Sequence, residues 1–240
     1  MTKTFLVDTT LCIGCRACQV ACKQWHGLPA ETTVNRGTYQ NPDDLSFYTY
    51  KLVLMKETMI NGRMRWLFFP MQCRHCLEPP CLYSAGDSAA IYQDSDTGAV
   101  IFTALTRDLN DPEGIIGSCP YNIPRKSNDR TLAKCDMCID RVQSGLLPAC
   151  VQTCPTGAMR FGDRETILML ARDRLAVVKT KNPDAMLTDP AEVRVIYLTA
   201  FAPKQYGEFS IAKNGAFGMT RKMALNRMRK WGQFFNLPAA

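Results

Sequence analysis

Apolar runs bounded by turn residues predict a set of short strands along the chain. The runs Tyr50–Thr58 and Arg63–Phe69 flank Asn61-Gly62, a dipeptide typical of a two-residue hairpin turn. We therefore expect a β-hairpin at this point. Similar runs predict four further strands: Thr4–Asp8, Ala99–Phe102, Ala158–Phe161 and Val193–Thr199.

Three stretches are predicted to be helical. Arg16–Gln24 is the first, and the second, Glu165–Lys179, is amphipathic and expected to brace the core or face a partner. The third is a C-terminal apolar stripe with helical spacing, which favours a helix docked on another subunit over a membrane-surface helix. The stripe comprises Ala224, Leu225, Met228, Trp231 and Phe235, among the basic residues Arg221, Lys222, Arg227, Arg229 and Lys230.

Composition excludes several protein classes. A chain of 240 residues with 46% hydrophobic and 21% charged residues can form one or two packed units, so wholesale disorder is excluded. The densest apolar patch, Trp66–Met71, is far too short to span a bilayer, and the N-terminus does not have the pattern of a signal peptide. We therefore expect no transmembrane segment.

The 12 cysteines are the unusual feature of the composition, and they fall into four blocks. The blocks are Cys12-x2-Cys15-x2-Cys18-x3-Cys22; Cys73-x2-Cys76-x4-Cys81; Cys119 before Pro120; and Cys135-x2-Cys138-x11-Cys150-x3-Cys154 before Pro155.

Three kinds of cysteine chemistry compete. Disulfide frameworks belong to small domains with weak cores, which this chain is not. Zinc could be bound by the fourth block, but it does not explain the crowded first block. The first block has the spacing of bacterial ferredoxins, in which three cysteines bind one iron–sulfur cluster and the fourth binds another. Iron–sulfur binding is therefore the favoured hypothesis.

The sharing rule of ferredoxins sorts all twelve cysteines into three groups of four, if the first and fourth blocks exchange their last cysteines. The first set is Cys12, Cys15, Cys18 and Cys154; the second is Cys22, Cys135, Cys138 and Cys150; the third is Cys73, Cys76, Cys81 and Cys119. Three 4Fe–4S clusters are therefore predicted. The formal net charge of +7 suggests a nucleic-acid partner, but we discount it because ligand thiolates would add negative charge.

The four cysteine blocks resemble those of the iron–sulfur subunits of molybdopterin oxidoreductases, which usually hold four 4Fe–4S clusters. This chain has Ala85 where the family has a cysteine, and Arg107–Ser118 lacks the three cysteines expected there. The four missing cysteines correspond to the ligands of one cluster. Over about residues 3–207, several stretches look like the beta subunit of tungsten or molybdenum formate dehydrogenases of sulfate-reducing bacteria, namely Ala21–His26, Trp66–Pro70, Gln72–Cys76, Lys134–Cys138 and Gly145–Cys150.

The order of the predicted elements indicates an α+β chain with a double ferredoxin-like iron–sulfur fold. Residues 1–49 and 126–165 would form a first unit with two clusters. Residues 50–125 would form an inserted second ferredoxin unit with one cluster. Residues 166–240 would form a C-terminal helical extension with strands and a tail that docks on the partner.

The sequence contains no nucleophile–base constellation, no Gly-rich phosphate loop and no open metal site, so no catalytic site is predicted. The resemblance implies a non-catalytic electron-transfer subunit. A large alpha subunit, holding a tungsten or molybdenum bis-pterin guanine dinucleotide, would interconvert formate and carbon dioxide. An acceptor such as a cytochrome c would exchange electrons at the other end, and the first set would lie nearest the catalytic subunit.

Other functions stay open on the sequence. The equivalent subunit of a thiosulfate, polysulfide or sulfoxide reductase, or of an aldehyde oxidoreductase, would look similar. A zinc-binding structural or nucleic-acid-binding protein is the alternative from a different class. The resemblance also implies a periplasmic location, reached by export with a partner that bears a twin-arginine signal, whereas the sequence alone equally permits the cytoplasm.

Four side chains near the cysteines have candidate roles beside the clusters. His26 and His75 adjoin complete cysteine sets, so we expect them to be hydrogen-bonding neighbours rather than ligands. Trp25 is expected to pack over a cluster and exclude water. Lys23 stands where a ferredoxin often has proline, and it is either a tuning charge or a solvated side chain.

Overall fold

Short strands and helices alternate with long loops in residues 2–213, the part of the chain that the computed structural model describes. The strands are β1 (Lys3–Asp8), β2 (Leu52–Ile60), β3 (Arg63–Met71), β4 (Ile91–Gln93), β5 (Val100–Phe102), β6 (Arg125–Lys126), β7 (Leu132–Ala133), β8 (Met159–Asp163), β9 (Met186–Leu187) and β10 (Val195–Thr199). The α-helices are α1 (Ala17–Trp25), α2 (Pro80–Ala85), α3 (Pro112–Gly117), α4 (Ile139–Gln143), α5 (Ala149–Gln152) and α6 (Arg164–Lys179). The predicted C-terminal apolar stripe lies outside the described residues.

A four-stranded sheet in the order β8-β1-β10-β9 brings together distant parts of the chain. Strands β1 and β10 are parallel neighbours, and β8 and β9 pair antiparallel on either side. Phe5 and Tyr197 belong to the large core that also contains many of the cysteines, whereas Leu6 and Leu198 face the opposite side. The central pair is therefore buried on both faces, as is typical of parallel strands.

Helix α6 covers the sheet face that points away from the cysteines. Ile167, Ala171 and Val178 of the helix pack in one cluster with Leu6 and Leu198. These helical residues are four and seven positions apart, which puts them on one face of the helix. The predicted amphipathic helix is therefore confirmed, and it braces the core.

The predicted β-hairpin is also confirmed. Ile60 pairs with Arg63, and the two turn residues between them, Asn61 and Gly62, both have positive φ, at 51° and 73°. Positive φ at both positions is the type I′ geometry that suits the twist of paired strands. The base of the hairpin packs on the sheet, where the rings of Phe69 and another core aromatic, Tyr197, stack at 4.2 Å.

Two small two-stranded pairs, β4–β5 and β6–β7, lie in the middle of the sequence. The predicted strand there, Ala99–Phe102, begins at Val100 in the structure, and the other predicted strands differ at their ends by one or two residues. The chain is thus a mixture of α and β structure, as predicted, whereas the unit boundaries stay a prediction. No helix in residues 2–213 is long and apolar enough to cross a membrane.

Candidate metal centre

The first cysteine set lines a single cavity. Its loop leaves β1 and turns through two residues with positive φ, Gly14 at 69° and Arg16 at 62°, before α1 begins. These left-handed positions curl the backbone so that Cys12 and Cys15 of the loop and Cys18 of α1 line the same cavity. A fourth thiol comes from Cys154, two residues after α5, and the cavity is thereby lined by Cys12, Cys15, Cys18 and Cys154.

The rest of this cavity is mainly apolar, with Val53, Pro70 and Met159 in its wall. Burial raises the pKa of the Cys12 thiol to about 11, and the pKa of Cys18 is also raised. Thiolates in such surroundings need cations to compensate their charge. Four soft sulfur donors in an apolar cavity suit an iron–sulfur cluster or zinc.

The second set is formed where α1 packs against α5. Cys22 is in α1 and Cys150 is in α5, and Cys135 and Cys138 come from the turn before α4. Met137 and Cys138 both have positive φ, which makes that turn tight. All four thiols are buried, and they interact electrostatically, Cys135 with Cys22 and Cys138, and Cys138 with Cys150.

The third set lines a second cavity in the middle of the sequence. Cys73 and Cys76 flank a turn in which His75 has a φ of 45°, and Cys81 lies in α2, which begins at Pro80. Cys119 completes the lining after α3. Burial raises the pKa of Cys81 to about 12 and that of Cys119 to about 11.

The second set adjoins each of the other two. Cys150 of the second set interacts electrostatically with Cys18 of the first set, and Cys135 of the second set interacts with Cys73 of the third. The structure thus brings the twelve predicted residues together in three neighbouring groups of four. Their identity as ligands stays a prediction.

Buried donors beside the third set fit a sulfur-rich group. Arg74 lines the cavity and is nearly fully buried, yet its Nε and Nη1 atoms have no hydrogen-bond partner. His75 accepts a hydrogen bond at Nδ1 from the Val100 N–H, which places its own proton on Nε2, an atom that also has no partner. Unpaired buried donors are costly, and cluster sulfurs accept such hydrogen bonds. The residues therefore fit a 4Fe–4S cluster here.

Two buried lysines are features that the sequence analysis missed. The exposed fractions of Lys51 and Lys134 are only 2% and 6%. Burial by itself would lower the pKa of Lys51, but the neighbouring thiols of Cys18 and Cys150 raise it above its usual value. A sequence signal existed, because Lys51 interrupts an apolar run and Lys134 directly precedes a cysteine.

His26 is within hydrogen-bond distance of its neighbours, as expected of a histidine that is not a cluster ligand. Its Nε2 lies 2.9 Å from Asp136 Oδ1, and its Nδ1 lies 2.9 Å from the Cys22 carbonyl oxygen. Burial opposes protonation, but the Asp136 hydrogen bond and the Cys22 thiol raise the pKa of His26 to about 11. His26 thus joins the cysteine turn of the second set to the end of α1.

The expectations for Lys23 and Trp25 need correction. Lys23 donates to Glu31 at 3.1 Å and to the carbonyls of Pro29 and Tyr48, so its charge is paired and it ties down a loop. Trp25 is 43% exposed and donates to Asp140, with a guanidinium stacked on its ring, rather than covering a cluster. Its position at the end of α1 directs it to the surface.

Comparison with known proteins agrees with the iron–sulfur interpretation of the cysteines. A family model described as a 4Fe-4S dicluster domain matches residues 64–164. The formate dehydrogenase subunit beta of Megalodesulfovibrio gigas is 56% identical, over 88% of this chain and 100% of the relative. This chain belongs to the family of formate dehydrogenase iron–sulfur subunits.

Two further members of the formate dehydrogenase iron–sulfur subunit family show its breadth. Formate dehydrogenase 2 subunit beta (cytochrome c-553) of Nitratidesulfovibrio vulgaris is 47% identical, over 88% of this chain and 99% of the relative. The formate dehydrogenase-O iron-sulfur subunit of Escherichia coli is 40% identical, over 83% of this chain and 67% of the relative. The zinc-binding and nucleic-acid-binding alternatives are set aside, because the matched family model is a 4Fe-4S dicluster domain and the Escherichia coli relative is named an iron-sulfur subunit.

Proposed function

We propose that this chain is the electron-transfer subunit of a formate dehydrogenase complex, without a catalytic site of its own. The observation that carries the proposal is the arrangement of twelve cysteines as three adjacent groups of four. Three bound 4Fe–4S clusters would supply one-electron transfer between a large catalytic subunit and an external acceptor. The chain itself holds the groups close together and buries eight of the twelve cysteines.

The ligands are proposed as three sets. Cys12, Cys15, Cys18 and Cys154 would hold the first cluster; Cys22, Cys135, Cys138 and Cys150 the second; Cys73, Cys76, Cys81 and Cys119 the third. The shared cavities of the first and third sets, and the mutual interactions of the second, support these assignments.

The partners are proposed from the family and from the exposed side chains. The large alpha subunit would carry a tungsten or molybdenum bis-pterin guanine dinucleotide and would contact the first set. There Cys15 is exposed, and Ile13 beside it is 60% exposed, which suits contact with another subunit. The name of the Nitratidesulfovibrio vulgaris relative contains a cytochrome c, which supports a cytochrome as acceptor.

The double ferredoxin-like organisation is part of the proposal. The first unit would comprise residues 1–49 and 126–165, because β1 pairs with β8 across this gap in sequence. Residues 50–125 would be the inserted unit, and 166–240 the extension. We also propose the periplasm as the location, reached by export with the partner, and cell fractionation would test this.

Metal and sulfide analysis of the purified complex tests the proposal. After subtraction of clusters in the catalytic subunit, this chain should hold about twelve iron atoms and about twelve acid-labile sulfides. Formate should reduce these clusters in the absence of any other donor. A colourless chain that contains zinc, or a large subunit that acts on a different substrate, would overturn the proposal.

A further inference from the structure

We propose that Lys51 and Lys134 are two fixed positive charges, one at each junction between cysteine sets, that raise the reduction potentials of the clusters on either side. This inference rests on the proposed function. It assigns a role to two positioning residues that are not ligands. Both side chains are buried, donate hydrogen bonds to neutral oxygens and lie beside two cysteine sets each.

Lys51 is buried at the junction of the first and second sets. Its ammonium interacts electrostatically with Cys18 of the first set and with Cys150 and Cys135 of the second. Its hydrogen bonds go to neutral oxygens, the Pro70 carbonyl at 3.3 Å and the Gln72 side-chain oxygen. The amide oxygens hold the ammonium in place without cancelling its charge.

Lys134 occupies the corresponding place at the junction of the second and third sets. Its side chain lines the cavity of the third set and interacts with Cys81 and Cys119. Its Nζ donates to the carbonyl of Cys135, a residue of the second set, at 3.0 Å, and to the Val100 carbonyl. The carboxylate that interacts with Lys134, that of Asp136, is already paired with His26.

Charge balance explains why two buried ammonium groups without close carboxylates are tolerated. A buried charge costs several kcal/mol unless an opposite charge compensates it. Within residues 2–213, no carboxylate forms an ion pair with Lys51 or Lys134. A 4Fe–4S cluster with four thiolates has a negative net charge, so each lysine would be the counter-charge of the two sets that it adjoins.

The same charge affects reduction. Adding an electron makes a cluster more negative, and a nearby fixed cation stabilises that reduced form. Because the second set adjoins both lysines, its potential should be raised by both, whereas the first and third sets each adjoin only one of the two lysines. Arg74 is a further buried cation in the cavity of the third set and is unchanged in the lysine variants. The two lysines would thus raise the potential of the middle cluster relative to the end clusters.

EPR-monitored redox titration of the whole complex tests the inference. Lys51→Met should lower the midpoint potentials of the first and second clusters and leave that of the third unchanged. Lys134→Met should lower the midpoint potentials of the second and third clusters and leave that of the first unchanged. In the double variant, the second set should shift by about the sum of the single shifts. The matched control is Lys56→Met, which removes an exposed lysine five residues along and should shift no potential.

Two further substitutions at each lysine separate the effect of charge from that of packing. Lys51→Gln and Lys134→Gln keep an N–H donor and should reproduce the shifts if the methionine variants assemble poorly. Lys51→Arg and Lys134→Arg keep the charge and should restore the potentials most of the way. Unchanged potentials in the neutral variants, or an equal shift of all three clusters, would overturn the inference. A wild-type complex without three cluster signals would instead overturn the proposed function.

Discussion

The guanidinium carbon of Arg74 lies 3.9 Å from the centroid of the Tyr197 ring, so the loop of the third cysteine set rests directly on the central strand β10. Phe69 and Tyr121 offer their ring faces to the same cation, at 5.2 and 4.9 Å. The Tyr197 hydroxyl in turn donates to the Pro70 carbonyl at 2.6 Å. An aromatic cage thus stabilises a buried cation and joins the sheet, the hairpin and the cysteine loop.

Two substitutions at Tyr197 should separate the ring from the hydroxyl. Tyr197→Phe removes the hydrogen bond to Pro70 and should lower the free energy of unfolding by about 1 kcal/mol. Tyr197→Leu also removes the ring beneath Arg74 and should cost about 3 kcal/mol or more. Chemical unfolding followed by visible absorption of the complex measures both. Equal losses in the two variants would mean that the ring does not stabilise Arg74.

Gly14→Ala should damage the first set selectively. Gly14 has a φ of 69°, and a Cβ atom there would lie 2.7 Å from the Phe68 ring, so the ring would have to move. The matched control is Gly27→Ala, since Gly27 has a φ of 60° but open space around it. Both variants carry a backbone penalty of about 1 kcal/mol, and only Gly14→Ala has an added steric cost. Iron analysis should therefore show loss in Gly14→Ala alone, and equal iron contents would contradict the prediction.

Local spacing explains why the hairpin and the grouping of the cysteines could be predicted. The turn at Asn61-Gly62 is specified by two adjacent residues, and the CxxC turns need only a few more. The pairing of β1 with both β8 and β10 depends on contacts between residues far apart in sequence, and no local pattern encodes it.

Burial of charge is the property that sequence reasoning missed. Lysine is almost always exposed, so Lys51 and Lys134 gave no reason to expect burial from their type alone. Their burial depends on which loops fold over them, and it becomes intelligible only when anionic cysteine sets lie on both sides. Trp25 shows the converse, because a large aromatic residue next to a cluster loop is exposed.

Cys22→Ala should reveal how the two blocks share ligands. Cys22 follows Cys18 closely in sequence, but its thiol interacts with Cys135, Cys138 and Cys150. The second cluster should therefore be lost first or converted to a three-iron form, as seen by EPR. The control, Cys18→Ala, should affect the first cluster instead. Selective conversion of the first cluster in Cys22→Ala would refute the assignment.

The C-terminal segment should contribute to binding of the catalytic subunit. Its removal is best made after Lys213, because residues up to that point are part of the fold. Ser210 accepts a hydrogen bond from Arg74, and the Lys213 N–H donates to the Pro120 carbonyl beside Cys119. Truncation there should weaken subunit affinity in a binding assay and leave about twelve irons in the chain. Unchanged affinity would contradict a docking role.

The third set should be where electrons leave for the acceptor. Its cysteines interact with the second set, whose cysteines in turn interact with the first set, the one that has the exposed loop. Cys76→Ala should then lower the rate at which formate reduces the physiological acceptor to the background rate. Reduction of a small dye that collects electrons upstream should partly survive, because Cys76 belongs to the third set and lines the cavity of that set.

The control for this prediction is a Lys56→Met complex, in which both activities should stay at the wild-type level because an exposed lysine is changed far from any cysteine in sequence. EPR of the Cys76→Ala complex must show the first two clusters intact, and affinity for the catalytic subunit must be unchanged. Under those conditions, loss of the acceptor activity alone identifies the third set as the exit, since electrons still reach the dye. An equal fall of both activities would place the exit elsewhere, because the damaged cluster would then lie on the path to the dye as well.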